Sequence, residues 1–429
     1  MTDNSFPTAS ANQRLMSLDA LRGFDMFWII GAESLVWALS RMSPSKPVQF
    51  LATQLEHVEW EGFRFYDLIF PLFVFMAGVS LVFSLSRTMA QAGRAAALKR
   101  VFRRGVLLFV LGIIYYGGLS SPWPDIRLMG VLNRIALAYL CAGLLFCFLT
   151  PRALAAVAAG LLLGYWAMLA WVPVRDIQLD KAHLAARAEQ AGDPRTADLF
   201  RQPENPSSVK NSAAWAAAVR MFNTTPNRVT GKYEQGLNLV NHFDFQYLPG
   251  RKWDDFFDPE GILSTIPAVV TCLLGVFAGL LLTASAVGEM RKVHWLIGCG
   301  LGAVVLGWLW HPWFPVIKKI WTSSYVLVAG GYSAILLGVF YLVVDVWKRR
   351  SWCQPFVWIG MNSITVYVAG NFIGGFRKLA TRLAGGDVQA YFNERWIKGA
   401  GDMLVSLAGL LLMFWFVNFL YRKKVFLRL

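Results

Sequence analysis

Apolar residues run through this chain in long blocks, with the charged positions gathered between them. A block crosses a bilayer when it holds about 20 largely apolar helical residues. Ten blocks qualify: 24–41, 65–86, 102–121, 130–149, 153–172, 262–284, 294–311, 323–345, 354–373 and 402–421. The pattern therefore predicts an all-α fold, a polytopic membrane protein of about ten transmembrane helices with one large outer loop at 173–259. Within that loop the Ala-rich, charged stretch Lys181 to Pro206 predicts a short amphipathic helix followed by turns.

Composition agrees with the blocks. Of 429 residues, 56% are hydrophobic and 16% charged, with 18 Trp and 31 Phe, whereas a soluble domain is roughly 25% charged. The five cysteines, Cys141, Cys147, Cys272, Cys299 and Cys353, lie in or beside apolar blocks without disulfide or zinc spacing, and read as packing residues. The polar stretch from Met1 to Leu21 lacks the apolar core of a cleaved signal peptide.

Charge placement sets the expected orientation. Short loops rich in Lys and Arg stay on the cytoplasmic side. Arg87, Arg94, Lys99, Arg100, Arg103 and Arg104 share one loop, and Arg291 with Lys292, Lys348 to Arg350, and Arg422 to Arg428 fall on the same face after ten crossings. Both termini are then cytoplasmic, in a multi-pass protein. Lys318, Lys319 and the basic residues of 377–398 run against the rule. The net charge of +15 is accounted for by membrane lipids facing these loops rather than by nucleic acid. The 87–104 cluster could also hold an anionic cofactor, with a solvated, lipid-facing basic loop the more favoured reading.

Several ionisable residues stand where lipid would penalise them. His57, flanked by Glu59, Glu61 and Asp67, lies just before the block that starts near Leu68. An imidazole there, with an ordinary pKa of about 6.5, suits proton or acyl transfer; the plainer alternative is a loop histidine bonded to Glu59 or Glu61. Asp25 and Glu33 are eight residues apart, roughly on one helix face, and Arg134 is the natural counter-charge. Pro71 and Pro267 interrupt two blocks and free carbonyls that need partners. These features fit an enzyme or a transporter alike.

Longer strings narrow the choice. Leu15 to Gly23, His57 to Gly78, Arg127 to Tyr139, Phe257 to Gly279, Pro315 to Tyr325, Gly360 to Val368 and Tyr421 to Lys424 resemble, in order, the heparan-α-glucosaminide N-acetyltransferase family. The resemblance covers nearly the whole chain. It implies a single transmembrane acyltransferase domain over 1–429, with 173–259 as a periplasmic loop insertion, and a transferase that acetylates glucosamine across the membrane with acetyl-CoA. The family's catalytic histidine precedes the Asp of an Asp-Leu-x-Phe-Pro motif by ten residues, as His57 precedes Asp67 here. Glu33 stands where lysosomal members carry an Asn, and those members have an extra outer domain and first span that are expected to be missing here.

On this basis His57, Glu33 and Asp67 are the expected catalytic group. Asp244, Asp258, Glu260, Trp60 and Asn362 are expected at the sugar, with helix capping the alternative for Asp258. Lys318, Trp321 and Tyr325 enter as motif members without a derived role. Charge alone nominates Arg22, Arg87, Arg100, Arg103, Arg104 and Arg134 for the acetyl-CoA phosphates. No metal is expected, the partner is an amino sugar, and Gly- and Ala-rich spans such as 153–164 would permit a homo-oligomer. The rival readings are a transmembrane O-acyltransferase of envelope sugars, suggested by Leu18 to Gly23, and a solute transporter.

Overall fold

A computed structural model describes residues 15–118 and 120–426; the expected basic contribution of Arg428 lies outside the described residues. Among the described residues helix dominates, and the strand content is one antiparallel pair, β1 (Val174–Arg175) with β2 (Arg228–Val229). Seven helices are long and apolar enough to cross a membrane, which makes this a multi-pass membrane protein.

The chain opens with α1 (Met16–Phe27) and α2 (Glu33–Met42), joined by a wide turn in which Gly31 has φ 132°. A short α3 (Lys46–Gln54) leads into α4 (Phe65–Tyr115), 51 residues long. At 1.5 Å per residue α4 would measure roughly 76 Å, far more than one crossing. Gly93 resolves the excess. Its φ of 79° and ψ of 175° break the helix, and a Cβ on Gly143 of α5 (Val131–Phe148) would touch both Leu81 and Val101. Residues before and after Gly93 thus lie side by side as two legs of a hairpin.

Small residues set the remaining crossings. A Cβ on Gly78 would lie 1.9 Å from the Cys272 carbonyl, and one on Gly275 1.9 Å from that of Phe75, so α4 meets α11 (Thr265–Thr283) backbone to backbone. The same device joins α1 to α14 (Gln354–Met361) through Gly23 and Gly360. Around this core stand α6 (Pro151–Trp171), α12 (Glu289–Trp310), α13 (Ser323–Phe340), α15 (Ser363–Phe372) and α18 (Ala400–Arg422).

The segment between α6 and α11 is more ordered than its composition predicts. It holds α7 (Lys181–Gln190), α8 (Pro194–Arg201), α9 (Ser212–Thr224) and α10 (Leu239–Tyr247). These bury their own apolar cluster around Leu184, Phe200, Ala218, Phe245 and Phe256. Two more short helices, α16 (Phe376–Ala384) and α17 (Gly386–Arg395), pack on α18. Their anchor is the buried Asp402, which accepts from Arg41, Arg377 and Gln389 at 2.6, 2.8 and 2.6 Å.

Candidate active site

Asp67 is the point from which the site is built. It occupies the first turn of α4, where a carboxylate is favoured by the exposed N–H groups and the helix dipole, and it is 1% exposed. Its Oδ2 accepts the backbone N–H groups of Arg64 at 3.1 Å and Val58 at 3.3 Å. Its Oδ1 is thereby aimed at His57, whose Nδ1 lies 2.8 Å away. Four residues on, Pro71 has no N–H to give the Asp67 carbonyl. The Tyr325 hydroxyl takes that place and donates to Asp67 O at 2.8 Å, so α13 fixes the height of the helix end that carries the carboxylate.

A third group arrives from far along the chain. Gly62 N–H donates to Val316 O at 2.9 Å, which docks the His57 loop on the 311–322 loop and brings in Lys318. The Lys318 Nζ donates to Asp67 Oδ1 at 3.3 Å and sits 3.0 Å from His57 Nδ1. The carboxylate can only accept, and it is the closer partner of Nδ1, so the Nδ1 proton points to Asp67 and Nε2 keeps its lone pair. Partial burial, aided by the Lys318 cation and opposed by the Asp67 hydrogen bond, pushes the His57 imidazole below its usual range. Burial likewise pulls Lys318 down, against the pull of Asp67 and Glu260.

Two cavities meet at this group. One is a polar cleft of 690 Å³ lined by His57, Trp60, Arg127, Trp253, Glu260 and Lys318, among others. The other is a narrow apolar shaft of 180 Å³ that continues past Met26, Phe70, Phe73, Leu132 and Ile135 between the membrane helices. His57, Val131, Glu260, Lys318 and Tyr367 border both. The imidazole therefore stands at the joint between the cleft and the apolar shaft.

The opposite wall is a charge network. Arg127 forks onto Asp258, Nε to Oδ2 at 2.8 Å and Nη2 to Oδ1 at 2.7 Å, and also reaches Glu260 at 2.6 Å. Tyr116 and Trp253 sandwich its guanidinium at 4.5 and 4.9 Å. Burial and the neighbouring Asp258 push Glu260 upward, against Arg127. Arg127 was visible in the sequence only as a member of a matched string; its paired acids follow 131 and 133 residues later.

The other nominated residues are spread more widely. Trp60 lines the cleft and is held by its Nε1 donating to Tyr233 O at 2.8 Å. Asp244 is fully buried behind the wall, where Oδ1 accepts from Ile262 N at 3.0 Å and burial raises it to about 7. Asn362 is buried next to shaft residues Ser363 and Ile364, its amide donating to Trp358 O at 3.2 Å. Glu33 borders neither cavity, and its Oε2 has no hydrogen-bond partner. Arg134 does not pair with Asp25 or Glu33; it bonds Ser264 and lies 4.7 Å over the Trp321 ring, because α5 faces α11 rather than α1.

The basic candidates gather toward the far end of α4. Arg22 bonds Ser80 and Asp19, Arg100 reaches Thr88 at 3.3 Å, and Arg104 lies 4.7 Å over Tyr139. Arg87 and Arg103 are exposed. None of the five lines the cleft or the shaft. Ser80 is 13 residues beyond Asp67, about 20 Å along the helix, so Arg22 and the basic residues that follow in α4 stand well away from His57.

Residues 14–200 match the family model described as "Heparan-alpha-glucosaminide N-acetyltransferase, catalytic". The chain belongs to that family. A heparan-alpha-glucosaminide N-acetyltransferase of Homo sapiens is 30% identical over 339 residues, 73% of this chain and 48% of the relative. That of Mus musculus is 25% identical over 410 residues, 86% of this chain and 56% of the relative. The chain thus spans about half the length of these curated relatives. Within the heparan-alpha-glucosaminide N-acetyltransferase match fall His57, Asp67 and Arg127, while Lys318, Asp258 and Glu260 come from beyond it.

Proposed function

We propose that this chain is a multi-pass membrane N-acetyltransferase that moves acetyl from cytoplasmic acetyl-CoA to the amine of glucosamine, or of a glucosamine-terminated saccharide, on the outer side. The observation that carries the reading is the His57, Asp67 and Lys318 group at the junction of a polar cleft with an apolar shaft. Such a junction serves two substrates that arrive from opposite faces. A transporter would need no imidazole with an oriented lone pair there, and an O-acyltransferase would not draw on the family name shared by both relatives.

Ten crossings are part of the proposal. To the two legs of α4 and the six other apolar helices, it adds α1 with α2 and α14 with α15, each pair an apolar stretch interrupted by a local break. His57 and the 173–259 segment then face outward. Both termini and the Gly93 bend are cytoplasmic, in a bacterial inner membrane.

The residues present suit acetyl-CoA. Arg22, Arg87, Arg100, Arg103 and Arg104 would meet its phosphates at the cytoplasmic end, and the apolar shaft would receive the acyl end. Acetyl-CoA supplies an electrophilic thioester carbon. The sugar sits in the cleft with its amine at His57 Nε2, against Trp60 and the Glu260 carboxyl. One ammonium proton leaves to solvent before attack. As the C–N bond forms, Nε2 takes a second proton from nitrogen; as the C–S bond breaks, the imidazolium returns it to sulfur, giving the amide and a thiol. Asp67 holds the imidazole in the required tautomer and stabilises its charged form, and Lys318 keeps the resting ring neutral.

Incubating the purified protein with acetyl-CoA labelled in the acetyl group and with glucosamine tests this directly. Label should appear in an amide-linked product. Label recovered only as acetate, or glucosamine taken up unmodified by proteoliposomes, would reject the reading.

A further inference from the structure

The junction that would receive an acceptor amine already holds one. Lys318 lines the polar cleft and the apolar shaft alike, so its ammonium stands where the acyl end of a thioester and an acceptor would meet. Its Nζ lies 3.4 Å from His57 Nε2, the nitrogen that keeps its lone pair, and 3.0 Å from Nδ1. The chain's own lysine thus lies within reach of the same base as the acceptor nitrogen. Lys319, the next residue, is the contrast. It borders the cleft but not the shaft, and its Nζ is turned to Asp254 Oδ2 at 2.7 Å.

What holds Lys318 back is its proton, since an ammonium has no lone pair with which to attack a carbonyl. Asp67 Oδ1, 3.3 Å away, stabilises the charged form. The charges that face Lys318 are Asp67 at the first turn of α4, Glu260 from the opposite wall and Lys319 from its own loop, beside the His57 ring. Burial opposes the charge and prevails over these carboxylates, drawing Lys318 below the usual lysine range. The neutral amine is therefore more abundant here than on a surface lysine, and it grows as pH rises.

We propose that Lys318 is a site of self-acetylation, modified by the acetyl donor of the proposed reaction when the cleft holds no acceptor, an inference that rests on that reading. After one ammonium proton leaves through the cleft, the Nζ lone pair bonds to the thioester carbon and the C–S bond breaks. A second proton passes from nitrogen to His57 Nε2 and on to sulfur, leaving Nε-acetyllysine and a free thiol. The product is neutral, so the cation beside His57 is lost, and the acetamide stands in the joint between cleft and shaft. Self-acetylation therefore silences the site. An amino sugar in the cleft protects it by taking the acetyl group first.

Incubating the purified full-length protein with acetyl-CoA deuterated in the acetyl group, without acceptor, tests this by peptide mass spectrometry. Lys318 should carry at least about ten-fold more label than Lys319, a modest advantage for a positioned amine, with fragmentation between the two residues telling them apart. Glucosamine should suppress the label, and raising the pH should increase it. His57→Ala should carry at least about ten-fold less label on Lys318. Wild-type activity should fall during the same incubation, whereas that of Lys318→Arg, whatever its starting value, should hold steady. Equal labelling of Lys318 and Lys319, or label undiminished in His57→Ala, would be adventitious chemical acetylation and overturns the proposal. Acetyl transfer to glucosamine with Lys318 unlabelled in the absence of acceptor also overturns it, and leaves the acetyltransferase reading in place. His57-dependent label on Lys318 with no transfer to any amino sugar does the reverse, sustaining the modification site and rejecting that reading.

Discussion

At the scale of the residue, two side chains carry the reading and can be separated by experiment. His57→Ala should lose N-acetylation by at least ~100-fold, the lower end for removing a general acid or base. Its melting temperature should hardly move, because a loop side chain that is 53% exposed leaves no sealed cavity. Near-normal activity would remove the central claim. Lys318→Met makes a different demand. Removing a neighbouring cation lets the imidazole protonate more readily, so its pKa rises and the acid limb of the rate profile shifts to higher pH. A limb that stays put would return Lys318 to a purely structural role. His57 and Asp67 were both nominated from the sequence as members of a matched motif, but their hydrogen bond was not, since the reading offered Glu59 or Glu61 as the partner of a loop histidine. Lys318 was not legible as their neighbour, since its contact with His57 spans 261 residues and only the docked 311–322 loop creates it.

At the scale of the element, the apolar blocks translated well into helices, but their boundaries did not. The stretch 87–104 reads as a basic loop, and in the structure it is helical on both sides of Gly93. Alanine, lysine and arginine are strong helix formers, so charge clustering says nothing of backbone shape. Within 173–259 the stretch Lys181 to Pro206 was read as one short helix with turns, and α7 lies there; the other three helices escaped notice because each is too brief to show a clear period. Gly93 allows a clean test. A Cβ there would meet nothing within 4 Å, so Gly93→Ala isolates the cost of positive φ, about 1 to 3 kcal/mol. Thermal unfolding in detergent should report that loss; an unchanged midpoint would mean the helix runs straight.

At the scale of the whole molecule, the open question is which way the bundle faces. Cysteine reporters at Ala92 and after Leu429 should label from the cytoplasm, and one at Pro206 from outside, because basic loops resist translocation. Labelling of positions 92 and 206 from the same side would discard the ten-crossing arrangement. Seven helices satisfied simple length and hydropathy. The apolar blocks 24–41 and 354–373 are interrupted instead, by Gly31 and by the α14 to α15 junction, so no single described helix in them reaches the length of a crossing.

The contact between His57 and Lys318 also has a consequence in time. Ribosomes add roughly 5 to 20 residues per second, so on the order of 10 to 50 s separate the synthesis of the imidazole from that of its cationic neighbour, 261 residues later. During that interval His57 and Asp67 exist without the loop that completes them. A chain that ends before Lys318 therefore lacks the third member of the group, and His57 and Asp67 can reach their final arrangement only after the 311–322 loop has docked.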